Sequence, residues 1–197
     1  MLGSKSLLTI LGIDPGTIKC GYGIIKKNGN KQEALGYGII HVPGKLEMPD
    51  KLAYLYNEIE NIIRQYQPAE CAVETAFYGK NIQSALKLGY ARGTAIIAAV
   101  RGRLKISEFS PKEVKKSVTG KGSASKEQVN FMVKTLLNLG SKEIPLDASD
   151  ALAIALCASF KPEESEKRPN SWEEFVKKNP EKLINTHNSS LITHNSK

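Results

Sequence analysis

Cysteine, histidine and long apolar runs are scarce in this sequence, and each scarcity closes off a class of protein. The three cysteines, Cys20, Cys71 and Cys157, are an odd number, with no CxxC pair and no histidine at metal spacing. They offer neither a disulfide framework nor a zinc site, and read as reduced fillers of a cytoplasmic chain. His41, His187 and His194 are scattered, two of them near the C-terminal end. No stretch approaches the roughly 20 apolar residues of a membrane-spanning helix. The apolar start lacks the long h-region and small-residue cleavage site of a signal peptide, so no membrane partner is expected. There is no internal repeat.

What is present is enough chain for one α/β domain with a full core: 197 residues of ordinary globular composition. Residues 1–160 carry 21 Lys and Arg against 14 acids, and residues 161–197 carry 7 against 6. The basic excess therefore belongs to the folded part and suggests a polyanionic partner, nucleic acid before membrane. From Lys161 the composition turns to Pro, Glu, Lys, Ser and Asn. Residues 161–197 read as a polar, partly disordered C-terminal tail, with one or two helical turns over Trp172 to Lys178.

Residues 7–16 form an apolar run ended by the Pro15-Gly16 turn, a buried strand that delivers Asp14 to its mouth. Gly21 to Ile25 and Ala34 to Val42 read as two further strands, joined by the hairpin signal Asn28-Gly29. From Lys51 the apolar positions Leu52, Leu55, Ile59, Ile62, Ile63 and Tyr66 repeat at helical period until Pro68. Glu70 to Glu74 is a short buried strand, parallel to the first because a helix has crossed over, and again ends in an acid. A loop from Thr75 to Asn81 carries Phe77, Tyr78 and Lys80, and a helix of small and apolar residues covers 82–100. Its small residues suit either a subunit interface or packing within the chain. Leu104 to Phe109 is the fifth strand. Ser110-Pro-Lys-Glu113 and Ser125-Lys-Glu-Gln128 are capping boxes that start two helices, the second with a core face of Val129, Met132, Val133, Leu136 and Leu137. A last helix runs to Phe160. The expected architecture is a mixed five-stranded sheet, three antiparallel strands then parallel ones, flanked by helices.

The acids make one constellation. Asp147 and Asp150, three apart in the first turn of the last helix, share a face where the helix dipole favours anions. Asp14 and Glu74 end neighbouring parallel strands at the carboxyl edge, where open α/β sheets place their sites. Four carboxylates in one spot repel unless cations neutralise them, and oxygen donors without His or Cys indicate Mg²⁺ or Mn²⁺. In a basic protein that fits two-metal phosphodiester hydrolysis, one ion activating water and the other stabilising the leaving 3′ oxygen. Between Arg101 and Lys126 there are eight Lys and Arg and two acids. Lys115 and Lys116 lie on the first capped helix, and Lys121 and Lys126 flank the start of the next, a setting suited to phosphate.

These residues also carry a resemblance. Ile10-Leu-Gly-Ile-Asp-Pro-Gly16, Ala72-Val-Glu74, Ser84 to Gly89 with Ala91-Arg-Gly93, Val114-Lys115-Lys116 and Asp147 to Ala155 resemble, in order and spacing, the motifs of the RuvC family of Holliday-junction resolvases over residues 7–160. The resemblance implies a ribonuclease H-like nuclease domain over 1–160, a homodimer, two Mg²⁺ ions with Mn²⁺ as substitute, and symmetric nicking of a four-way DNA junction. It also implies RuvA and RuvB as branch-migration partners. Asp14, Glu74, Asp147 and Asp150 match the family's metal-binding acids, and Lys115 and Lys126 match basic residues near the scissile phosphate. Phe77 matches an aromatic proposed to stack on junction bases, with Lys80, Lys116 and Lys121 as further nucleic-acid contacts. An ATPase of the actin–sugar kinase type also starts with a strand and Asp-x-Gly, but it needs a second phosphate loop and a duplicated half that this chain lacks. A non-catalytic junction-binding protein would be marked by loss of an acid, and all four are present. A related nuclease acting on another branched or RNA substrate is the remaining alternative.

Overall fold

The computed structural model describes residues 7–75 and 82–161. The chain divides into two units, residues 1–161 and 162–197, and the second lies outside the described residues, as does the helical reading of Trp172 to Lys178. In the first unit the elements run β1 (Leu7–Asp14), β2 (Lys19–Asn28), β3 (Lys31–His41), α1 (Met48–Tyr66), β4 (Glu70–Glu74), α2 (Ile82–Arg101), β5 (Lys105–Phe109), α3 (Pro111–Thr119), α4 (Lys126–Leu136) and α5 (Leu146–Phe160). The sheet order is β3-β2-β1-β4-β5. The first three strands are antiparallel, and β4 and β5 join parallel to β1. This is the mixed sheet expected from the sequence.

Alternation along the strands splits the core into two layers. Leu11 and Ile13 of β1, Cys20 and Ile24 of β2, and Cys71 and Val73 of β4 pack against α1 and α2. Ile10, Ile25, Ala72 and Phe109 point the other way, into α3, α4 and α5. The same period of two turns Asp14 and Glu74 toward α5, because they follow Gly12 and Ala72 by two. Helix α5 is buried on almost every side, from Ala148 to Ser159 with the exception of Asp150, which explains why it reads as apolar all round.

Both capping boxes form as expected. Ser110 accepts from the Glu113 amide while Glu113 receives the Ser110 amide, and Ser125 and Gln128 do the same at the head of α4. The differences lie at element ends. Strands β2 and β3 reach Asn28 and Lys31, beyond the apolar stretches, because Lys26, Lys27, Lys31 and Gln32 pair in a polar hairpin arm that buries little. Helix α1 starts at Met48, with Pro49 in its first turn, three residues before its apolar period begins. Among the described residues no helix is long and apolar enough to cross a membrane.

Candidate active site

Asp14 and Glu74 meet because β1 and β4 are in parallel register, Ile13 beside Val73, so their last residues leave the sheet side by side. The end of β4 is fixed by β5: Glu74 pairs with Phe109, and the Thr75 amide donates to the Phe109 carbonyl at 2.8 Å. On the other side of β1, Asp14 pairs with Gly21. Above this edge lies the first turn of α5, which carries Asp147 and Asp150 and has no side-chain cap of its own. The Ser149 hydroxyl donates to Asn130 Oδ1 at 3.3 Å, tying that turn to α4.

A cleft of about 280 Å³ opens there, with Asp14, Glu74, Asp150, Lys115 and Lys126 on a rim floored by Pro111, Val114, Val129 and Ile154. Lys126 Nζ donates to Asp150 Oδ2 at 3.1 Å. Burial, then repulsion from Glu74, Asp150 and Asp147, pushes the Asp14 carboxyl up to about 7, with Lys126 partly opposing. Burial and the charge of Asp150 likewise raise Glu74, against Lys126 and Lys115. The bond to Asp150 raises the Lys126 ammonium in turn. Asp14 therefore feels all three other acids and Glu74 feels Asp150, repulsion that the two lysines only partly oppose.

The donor set suits a hard divalent cation: carboxylate oxygens only, converging on a half-buried aspartate whose ionised form lacks compensation. Among the described residues no three acid, His or Cys side chains stand close enough to hold one ion together. Asp150 is instead turned to Lys126, whose ammonium serves as counter-cation.

Of the residues singled out from the sequence, the cleft gathers Asp14, Glu74, Asp150, Lys115 and Lys126, while Asp147 acts on Asp14 by charge without lining it. Lys116 is exposed on α3. Lys121 lines a separate, mostly apolar groove with Thr119, Gln128, Phe131 and Met132. Phe77 and Lys80 lie outside the described residues. Two positions escaped notice in the sequence: Asn130, which looks like any polar helix residue, and Gly21, whose signal was a glycine inside a strand.

The sequence profile of the family described as Crossover junction endodeoxyribonuclease RuvC matches residues 10–158. A crossover junction endodeoxyribonuclease RuvC of Chloroherpeton thalassium is 46% identical over 182 residues, spanning 88% of this chain and 98% of the relative. One of Halothermothrix orenii is 46% identical over 150 residues, spanning 76% of this chain and 91% of its own. Among solved structures, T. thermophilus RuvC in complex with Holliday junction substrate superposes with a TM-score of 0.73 at 28% identity, over 78% of this chain and 93% of the other. The order of the strands, the acids at their ends and these likenesses agree: the chain belongs to the RuvC family of crossover junction endodeoxyribonucleases.

Proposed function

We propose that this protein is a structure-selective endonuclease that resolves four-way DNA junctions in recombination and repair by hydrolysing two like-polarity strands symmetrically. The observation that carries the reading is the joint edge of β1, β4 and α5, where acids from three elements face two lysines across one small cleft. Asp14, Glu74, Asp147 and Asp150 would hold two Mg²⁺ ions, Mn²⁺ substituting. Bound ions lower the pKa of water and offset charge developing on the leaving 3′ oxygen.

The remaining roles belong to the chain itself. Asp14, squeezed by burial and by its neighbours, gains most from a cation and has the strongest reason to stay ionised only when one is bound. Lys126 neutralises Asp150 until then, and is free to turn to a phosphate oxygen once Asp150 is engaged elsewhere. Lys115, on the opposite wall, meets the same phosphate. Lys116 and Lys121 extend the positive surface along the DNA, and Phe77 and Lys80 would contact the junction itself.

Symmetric cutting calls for two copies, and α2 has a face for it. Ala91, Ala95, Ala98 and Ala99 pack inward within the chain. Ile82, Leu86, Ile97 and Val100, with Gly89 and Gly93 between them, form an exposed stripe on the outer side. A side-chain carbon added at Gly89 or Gly93 meets nothing within 4 Å, so a second helix can approach closely there. RuvA and RuvB are the partners that the resemblance implies. Residues 1–160 would be the whole nuclease unit and 161–197 an appendage.

A labelled synthetic four-way junction, tested with and without Mg²⁺ beside linear duplex and an RNA–DNA hybrid, decides the matter. Paired, metal-dependent nicks in the junction alone are expected. Tight binding without cleavage over a range of sequences and metals would make the protein a binding module, and cleavage of the hybrid would overturn the substrate.

A further inference from the structure

The four acids lie on two bodies, the sheet and α5, so something must set the distance between them. A Cβ built on Gly21 would fall 2.0 Å from the carbonyl oxygen of Asp147, 2.6 Å from its carbonyl carbon and 3.4 Å from the amide nitrogen of Ala148. In the ladder Gly21 is the residue opposite Asp14. One glycine thus touches the backbone of one acid and pairs with the backbone of another. Gly12 and Gly23 continue the same trough along α5, meeting Ala151 and Ala155 in the first case and Leu152 in the second.

We infer that Gly21 is the positioning residue of the metal centre: by carrying no side chain it lets the first turn of α5 sit low enough for Asp147 and Asp150 to share cations with Asp14. The inference rests on the metal role proposed above for those acids. Neither side of the contact can yield by rotating a side chain. β2 is paired on both edges, by β1 and β3, and the other party is the main chain at the head of a helix that is buried from Ala148 to Ser159 except at Asp150. Real Cβ atoms essentially never come within 3.0 Å of such an atom, so alanine at 21 drives the strand and the helix apart by at least 1.0 Å. Metal ligation tolerates much less, about 0.2 Å from ideal distance. The lysines of α3 and α4 are not part of this contact, so DNA affinity should be spared.

The test measures Mn²⁺ binding to the full-length protein by electron paramagnetic resonance, without DNA, in wild type, Gly21→Ala, Gly23→Ala and Gly38→Ala. A Cβ at Gly23 meets the Leu152 side chain at 2.8 Å and its amide nitrogen at 2.9 Å, a milder push on the same helix than the 2.0 Å at Gly21, while the nearest atoms to one at Gly38 belong to the Tyr22 side chain. Gly21→Ala should weaken Mn²⁺ binding by about tenfold or more, the scale on which mutations around metal ligands act. Gly23→Ala should weaken it less, and Gly38→Ala not at all, whatever each does to the melting temperature. A retreat of that size is comparable to one carbon–carbon bond, about 1.5 Å. Asp150→Glu should therefore recover part of the loss in the Gly21→Ala protein yet weaken binding in wild type. If Gly21→Ala does not fold, the ordering of Gly23→Ala against Gly38→Ala carries the test. Equal Mn²⁺ affinity in wild type and the glycine variants would overturn the inference. No Mn²⁺ binding by wild type would overturn the metal reading beneath it.

Discussion

Replacing Asp14 by asparagine should make the metal-free protein more stable while abolishing its cleavage. In an unfolded chain this carboxyl ionises near 3.8, whereas in the fold burial and three neighbouring acids hold it up to about 7. Between those values the native state keeps a proton that the unfolded state has released, so stability falls as pH rises through the window and the full penalty is present above it. At 1.36 kcal/mol per pKa unit the ionised carboxylate costs the fold about 4 kcal/mol, an upper figure for a group that keeps some solvent contact. Asparagine removes the charge but leaves an amide that needs partners, which gives back about 1–3 kcal/mol. The net expectation is a gain of about 2 kcal/mol, or about 4–8 °C in melting temperature for a chain of this size. Thermal unfolding in EDTA at pH 8 should show the variant melting higher, with the gap closing as pH is lowered toward 4. Added Mg²⁺ should stabilise wild type, by about 2.7 kcal/mol at one hundred times its dissociation constant, and leave the variant unmoved. A variant that melts at or below wild type at pH 8 in EDTA would refute the electrostatic account of the site, and surviving cleavage would refute the role of Asp14.

Lys115→Ala should lower cleavage and reduce the salt dependence of junction binding by about one phosphate contact; an unchanged salt slope would put Lys115 away from the backbone. Ile97→Glu, which sets a charge into the apolar outer stripe of α2, should give a monomer in sedimentation and uncouple the paired nicks into independent ones. A variant that sediments like wild type would remove that face from consideration. Burial pushes the Cys20 and Cys71 thiols up to about 12, so neither should react with iodoacetamide at pH 8 while the protein is folded, and rapid alkylation of Cys20 would mean that β2 opens in the native state.

Much of this was legible in the residues because the strong signals are local. Asp14 stands out where an apolar strand breaks at Pro15-Gly16, and the two Ser-led capping boxes announce α3 and α4 without any tertiary information. The side to which Asp14 and Glu74 turn follows from a period of two. What could not be read is whatever depends on distance between elements. Nothing in the spacing of Asp147 and Asp150 says that one lines the cleft while the other acts from beside it. Nor does it say that Asp150 is held by a lysine 24 residues earlier. Lys121, in a basic run with Lys126, faces a different groove because the turn through Gly120 redirects the chain. Gly21 signals only a glycine inside a strand, and what that strand residue must clear, the backbone of Asp147, lies 126 residues away in the chain.

The helix that carries Asp147 and Asp150 is also the last described element of the first unit, and it touches β1, β2 and β3 as well as α3 and α4. Asp14 emerges early in synthesis, and Asp147 and Asp150 more than 130 residues later. A ribosome-bound or prematurely ended chain lacking α5 has neither the second pair of acids nor the core that would hold the first. A DNA-cutting activity that draws on acids from both ends of this unit would therefore arise only once α5 has been made, and a chain cut short before it should be inert.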